Sequence, residues 1–260
     1  MCAQQRQRTP DKPSSVHYDR APIAEAVIDL NVSFGEVPSI EKIEELARQF
    51  KNDFPQAQRI NALSLAVGHD GQNGAISSNT SSSPIGVRMT NAKGDRVVQI
   101  RRQGFSYSHL PPYSDWENFS AEMKPLWERY VAALAPTAVN RLAVRYINRI
   151  TVPQRVNLDD YLNVTPRLLS KVCPEVEGYF MQLVLPQRDL GDEWKAIINT
   201  GLEPSPSPDV MSVLLDIDLF CELTAGIKDG EVWPILEQLR LRKNDIFEAA
   251  ITDEVRRMIQ

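Results

Sequence analysis

Two stretches of this chain share one strand pattern: Ala21-Pro-Ile-Ala-Glu-Ala-Val-Ile-Asp-Leu-Asn-Val32 and Asn140-Arg-Leu-Ala-Val-Arg-Tyr-Ile-Asn-Arg-Ile-Thr151. In each stretch, one of the two alternating sets of residues is almost wholly apolar, which is the period of a strand that buries one face. Each stretch is followed by further strand signals and then by a helix that opens at a tryptophan, Trp116 or Trp233. The recurrence of this order predicts an internal duplication.

The pattern of each half reads β-α-β-β-β-α, which predicts an α+β fold with an antiparallel sheet and helices packed on one face. This order is similar to that of the duplicated TATA-binding-protein saddle and of helix-grip folds. In the first half, Ser39 is the expected N-cap of the first helix, and strands are expected at 60–68, 85–90 and 96–102. The polar run 77–84 is expected to be a flexible loop.

The domain organisation follows from the same pattern. Residues 1–17 are rich in Gln, Arg, Ser, Pro and Lys, so we expect a disordered arm there. The first α+β half is expected over 18–137 and the second over 138–260, together forming one compact pseudo-symmetric body.

Composition limits the possible partners and locations. The chain has 260 residues and a net charge of −5, which argues against a generally basic nucleic-acid-binding protein. It has no run of about 18 apolar residues, so we expect no membrane span. Three scattered cysteines and a polar start without an apolar signal region favour a cytoplasmic location.

The charged residues of the strand patterns form the candidate site. Arginines recur at every fourth position of the second stretch, and carboxylates occupy matching positions of the first stretch and of a later strand. The ligand-binding candidates are Arg141, Arg145, Arg149, Glu25 and Asp29, and the metal candidates are Asp216 and Asp218. Two carboxylates at i and i+2 of a strand can hold a hard cation such as Mg²⁺. Arginines nearby can clamp a phosphate group through paired hydrogen bonds.

The same pattern has a structural explanation. Opposite charges on neighbouring strands form cross-strand ion pairs that contribute about 0.2–1 kcal/mol each. Alternation of apolar and charged residues is also typical of any half-exposed strand. The charges therefore indicate either a ligand site or a set of structural ion pairs.

No pattern of known catalytic chemistry is present. His17, His69 and His109 are scattered in loop-like contexts, and no G-x-S-x-G, P-loop or G-x-G-x-x-G sequence occurs. Asn148 falls on the apolar face of its strand, where we expect it to hydrogen-bond neighbouring backbone.

An aromatic cluster lies around the corner Leu110-Pro-Pro-Tyr113, with Phe105, Tyr107 and Trp116. Core packing explains it, and a stacking platform for a peptide or a base is the alternative.

In combination, five segments resemble a family of sporadically distributed bacterial and archaeal proteins of uncharacterised function. They are Ala21-Pro-Ile-Ala-Glu-Ala26, Leu110-Pro-Pro-Tyr-Ser-Asp-Trp116, Arg141-Leu-Ala-Val-Arg-Tyr-Ile-Asn148, Leu215-Asp-Ile-Asp218 and Phe247-Glu-Ala-Ala-Ile-Thr-Asp253. The resemblance spans nearly the whole chain after the arm. It implies a cytoplasmic prokaryotic protein, and the patchy distribution suggests phage-defence or toxin-neutralising genes.

Two functions follow as hypotheses. The first is a non-enzymatic binding or regulatory protein without a cofactor, whose partner is another protein or a second copy of the chain. The second is a metal-dependent enzyme or sensor, with Mg²⁺ as cofactor, that binds a phosphorylated ligand on the charged sheet face.

Overall fold

A computed structural model describes residues 18–69, 76–167, 176–205 and 207–260, and for residues 63–80 within these ranges only the backbone is described. The predicted arm 1–17, together with His17, lies outside the described residues, as do Cys2 and Cys173.

The first part of the chain forms five strands and two helices. They are β1 (Ile23–Ser33), α1 (Ile40–Gln49), β2 (Gln56–His69), β3 (Ile76–Thr90), β4 (Arg96–Arg101), β5 (Gly104–His109) and α2 (Trp116–Leu134). The second part contains β6 (Ala138–Pro153), β7 (Phe180–Pro186), β8 (Trp194–Glu203), β9 (Val210–Ile227), α3 (Val232–Ala250) and α4 (Asp253–Ile259), with short 3₁₀ helices at Leu158–Asp160 and Asp229–Glu231. The nine strands form one antiparallel sheet in the order β2-β3-β4-β5-β1-β6-β9-β8-β7. The α+β prediction is confirmed.

The two quoted stretches become the neighbouring strands β1 and β6 at the centre of the sheet. They pair directly, with Ala26 opposite Tyr146 and Leu30 opposite Leu142. The alternating apolar residues of both strands are buried, and Ala26, Ile28 and Leu30 have no exposed surface. The predicted assignment of the buried face is therefore confirmed for both strands.

The helices pack on this apolar face. Trp127 and Tyr130 of α2 contact Phe105 of β5, whose side chain lies on the same face as that of Leu30. The N-caps stabilise the helix starts: the Ser39 hydroxyl accepts from the backbone N–H of Lys42, and the Asp115 carboxylate accepts from the N–H of Asn118. None of the helices in the described part of the chain is long and apolar enough to cross a membrane.

Two local expectations are wrong. The first part contains an additional strand, β5, which forms a tight hairpin with β4. The run 77–84, predicted as a loop, belongs to β3 and pairs with β2, because backbone hydrogen bonds can hold a ladder without apolar side chains. Between β6 and β7 the described residues form a 3₁₀ helix at Leu158–Asp160, and 168–175 of this connection lie outside the described residues, so the α-helix that the repeat pattern predicted here stays a prediction.

Candidate functional site

The predicted site residues lie on the sheet face opposite the helices, which we call the charged face. One ion pair of this face joins β6 to β9 and contains its most buried carboxylate, that of Asp216. Arg145 donates from Nε to Asp216 Oδ1 at 2.8 Å and from Nη2 to Asp216 Oδ2 at 2.7 Å. Asp216 also accepts a hydrogen bond from the side chain of Asn199 at 2.8 Å, and its own side chain is 3 % exposed. Both oxygens of this metal candidate are therefore bonded to protein donors.

A second group of charges crosses the centre of the charged face. Arg101 pairs with Asp29 at 2.5 Å. Arg141 lies between two carboxylates, with Nη1 3.4 Å from Asp29 and Nη2 3.3 Å from Asp218. Burial raises the pKa of the Asp218 carboxyl, although Arg141 and Arg145 oppose this effect.

The remaining candidates lie towards one end of β1 and β6. Arg149 donates to Glu203 at 2.6 Å, and Glu25 attracts Arg145 electrostatically. All three predicted arginines are thus paired with carboxylates, an arrangement that favours the ion-pair interpretation. Within the described residues, no three His, Cys, Asp or Glu side chains are grouped so that they could hold a metal ion.

The aromatic cluster has two parts. Phe105, Tyr107 and Trp116 are buried in the core, as the packing interpretation expects, whereas Tyr113 is half-buried. His109 was expected in a loop-like context, but it ends β5, is fully buried and contacts the Tyr113 ring with centroids 5.3 Å apart. Burial lowers the pKa of this imidazole.

A cavity of about 700 Å³ opens on the helix side of the sheet, beside Tyr113. Its walls come from the segment 18–23 that leads into β1, the corner 111–117 that leads into α2, the second half of β6 and the C-terminal half of α3. We call it the helix-face cavity. Its volume falls in the range of small-molecule binding sites.

Lys243 of α3 is the principal charged group of the helix-face cavity. Its residue is 8 % exposed, and its ammonium lies over the Tyr146 ring, 3.6 Å from the ring centroid. Among the described residues, no carboxylate or other hydrogen-bond acceptor is paired with Nζ. Burial, together with the charge of Arg240, lowers the pKa of Lys243 to about 7.

The cavity carboxylates are engaged elsewhere. Glu117 pairs with Arg240 at 3.1 Å. Glu248 accepts a hydrogen bond from the Tyr18 hydroxyl at 2.8 Å and pairs with Arg256 at 3.0 Å. Asp115 caps α2, and Asp19 also has an interaction partner. None of them is paired with the Lys243 ammonium in the described structure.

Asn148 supplies an acceptor to the same cavity. Its Nδ2 donates to the backbone carbonyls of Leu215 at 3.0 Å and Tyr146 at 3.3 Å, which confirms the predicted structural role. Its Oδ1 accepts no hydrogen bond from the described residues, and the side chain lines the cavity although the residue is 2 % exposed. The Tyr146 and Tyr113 hydroxyls, 2.7 Å apart, complete this polar end.

Sequence reasoning missed this site. One signal was available in α3, where a lysine stands in the apolar stripe. The buried residues of this helix include Leu236, Leu239, Lys243 and Ala250. Four of the five segments that carry the family resemblance contribute residues to the cavity wall.

Compared with known proteins, the chain matches no protein-family model and has no significant match among curated proteins.

Proposed function

We propose that this protein binds a small anionic ligand in the helix-face cavity and acts as a binding or regulatory protein. The observation that carries the proposal is Lys243, a residue that is more than nine-tenths buried and lines a cavity, and whose ammonium has no anionic partner among the described residues. An isolated buried charge is costly, by several kcal/mol, and the anionic group of a ligand would offset that cost. An anionic ligand therefore gains more binding free energy at Lys243 than it would at an exposed lysine.

The other residues of the cavity wall indicate which further groups the ligand should carry. Ile23, Tyr113 and Phe247 offer apolar and aromatic surface, and Asn148 Oδ1 offers an acceptor for a hydroxyl or N–H group. The best fit is a compact molecule with an acidic group, a hydrogen-bond donor and an apolar or aromatic body. Pockets of this kind obtain affinity from the apolar walls and orientation from a few polar groups.

The test is calorimetric titration with para-hydroxymethylbenzoate, which has all three features. We expect measurable binding at neutral pH and at least ~10-fold weaker binding for Lys243→Met, a loss of about 1.4 kcal/mol. Lys124→Met is the matched control, because Lys124 also lies near an aromatic ring, 6.0 Å from the Trp233 centroid, but is exposed. Equal affinities for wild type and Lys243→Met, or no binding across a panel of aryl carboxylates, would contradict the proposal.

A protein partner or a second copy is proposed at the sheet edge. β7 is an end strand without charged residues, and it exposes Phe180, Val184 and Leu185. Uncharged edge strands are templates for pairing with another chain. A Val184→Lys variant should lower the association state measured by light scattering if the edge is used.

We further propose that the protein belongs to the sporadically distributed family, is cytoplasmic and acts in a phage-defence or toxin-neutralising operon. We also propose the duplication of halves 18–137 and 138–260. The sheet order supports it, because β1 is followed outward by β5 and β4, and β6 by β9 and β8.

As an alternative, a phosphorylated ligand could bind with Mg²⁺ on the charged face, which requires existing hydrogen bonds to break. A metal at Asp216 would have to replace the hydrogen bonds from Arg145 and Asn199. A rise in melting temperature with Mg²⁺ that is lost in Asp218→Asn would favour this alternative.

A further inference from the structure

We propose that Lys243 is the reactive amine of the helix-face cavity and condenses reversibly with an aldehyde or ketone that also carries an acidic group. This inference rests on the proposed function, since it names a chemical class of ligand for the same cavity. In this proposal the ligand forms a covalent bond to Lys243 in addition to binding through its anionic group.

The amine of Lys243 is positioned by regular secondary structure. Lys243 lies within α3, packed on Tyr146, so its Nζ is held by a helix and a central strand and not by a mobile loop. The cavity gives a small carbonyl compound access to it. An amine held in place beside a bound carbonyl compound keeps the two reacting atoms close and oriented. A mobile surface lysine has no such advantage.

The surroundings of Lys243 also favour a neutral amine. Burial and a neighbouring cation are the two features that hold a lysine neutral, and a neutral amine is the nucleophile in imine formation. Arg240, one turn before Lys243 on α3, supplies the cation. The Tyr146 ring favours the protonated form through a cation–π contact, so both forms are populated near neutral pH.

The groups around Lys243 include both signs of charge. Those on or next to the cavity are Arg240 and Glu248 of α3, Tyr146 of β6, Tyr113, Asp115 and Glu117 at the corner and start of α2, and Tyr18 and Asp19 before β1. Glu117 is paired with Arg240, and Glu248 is paired with Arg256. Burial holds the pKa of the Tyr113 and Tyr146 hydroxyls above the ordinary value, so they stay protonated near neutral pH.

The step balances without an oxidant or reductant. The Nζ lone pair forms a bond to the carbonyl carbon, and the carbonyl π pair moves to the oxygen, which takes up a proton as the nitrogen loses one. The nitrogen lone pair then expels the protonated hydroxyl as water. The net change is amine plus carbonyl compound to imine plus one water, and hydrolysis reverses it.

The experiment uses the full chain with para-formylbenzoate and sodium cyanoborohydride, followed by peptide mass spectrometry. The reductant supplies hydride to the imine and fixes the label as a secondary amine. At pH 7 an ordinary lysine is neutral in only ~0.04 % of molecules, from its unperturbed pKa. We expect labelling of Lys243 at least ~10-fold faster than of the exposed Lys51, Lys93 and Lys124 in the same sample.

The pH profile adds a second criterion. The rate of acetylation by acetic anhydride, which follows the neutral amine directly, should level off above about pH 7 at Lys243, whereas the rates at exposed lysines should continue to rise towards about pH 10. Lys243→Arg retains the cation but lacks the amine, so it should lose only the dominant label. Labelling of Lys243 no faster than of exposed lysines would overturn the inference.

The non-reactive analogue separates the two proposals. If para-hydroxymethylbenzoate binds the wild type and Lys243→Arg while para-formylbenzoate fails to label Lys243, the imine is refuted and the binding function stands. If para-formylbenzoate labels Lys243 selectively and no carboxylate binds without a carbonyl group, the imine stands and the anion-binding function is refuted.

Discussion

The ammonium of Lys243 lies 3.6 Å from the centre of the Tyr146 ring, which joins a buried cation on α3 to the central strand of the sheet. The Tyr146 hydroxyl in turn contacts the hydroxyl of Tyr113, 2.7 Å away, at the corner before α2. Helix α3, strand β6 and the corner before α2 therefore meet beside the helix-face cavity. The proposed binding group is thus held by the core of the fold.

Replacing the buried lysine should stabilise the empty protein. Its pKa is about 7 in the folded chain and 10.5 in its ordinary state, so between these values the unfolded chain binds the additional proton. The free energy of unfolding of the wild type should therefore rise with pH relative to Lys243→Met over this window. The free-energy cost of burying the charged amine is fully present below about pH 7 and absent above about pH 10.5.

Urea unfolding of both proteins at about pH 7 and about pH 9.5 measures this effect. Each pKa unit of the shift corresponds to about 1.4 kcal/mol, so the gap between the two proteins should narrow visibly at the higher pH. A gap independent of pH would show that Lys243 has an ordinary pKa in the folded chain.

The ion pairs of the charged face should differ in their contribution to stability. Arg145→Ala leaves the Asp216 carboxylate, 3 % exposed, without its cation, and we expect a loss of about 2–4 kcal/mol in the free energy of unfolding. Arg149→Ala removes a comparable pair in which the carboxylate left behind, that of Glu203, is 28 % exposed and can be solvated, so it should cost less than about 1 kcal/mol. Chemical denaturation of the two variants makes the comparison, and equal losses would argue against a structural role specific to Arg145.

Gly104 should not tolerate a side chain. A Cβ there would lie 2.7 Å from the backbone oxygen of Leu30, in the paired strand β1, so Gly104→Ala must displace the β1–β5 ladder. We expect a loss of about 1–3 kcal/mol. Gly35→Ala is the control, since nothing lies within 4 Å of its Cβ position, and it should be neutral or slightly stabilising. Thermal unfolding of the pair tests this contrast.

The cap of α2 should contribute more than that of α1. Asp115 accepts from the Asn118 N–H at 2.7 Å and also from its side chain at 2.6 Å, whereas Ser39 accepts one longer bond of 3.4 Å. Asp115→Ala should therefore lower stability by about 1 kcal/mol and Ser39→Ala by less. The difference would appear in melting temperature, and a larger loss in Ser39→Ala would contradict this ranking.

Local periodicity was sufficient to predict much of the fold. The alternation in β1 and β6 predicted their buried faces, because that alternation reflects burial of one side of a strand. β5 was missed although Phe105, Tyr107 and His109 alternate with serines, because the segment is short and follows a tight turn.

The charged face was predictable for the same reason, since Arg145 and Asp216 lie within regular strands. The helix-face cavity was not, because its residues come from four separate segments that only the tertiary structure brings together. The local signals were Lys243 in the apolar stripe of α3, Asn148 on the apolar face of β6 and the aromatic corner at Tyr113.

The most direct test of the binding site is proton uptake on ligand binding. Titration calorimetry with para-hydroxymethylbenzoate at about pH 8, in two buffers of different ionisation enthalpy, counts the protons taken up. If the carboxylate pairs with Lys243, the wild type should take up a fraction of a proton, because the anion favours the charged amine, and Lys243→Arg should bind without uptake. Binding with no proton uptake in the wild type, or the same uptake in Lys243→Arg, would contradict the assignment of Lys243 as the anion-binding group.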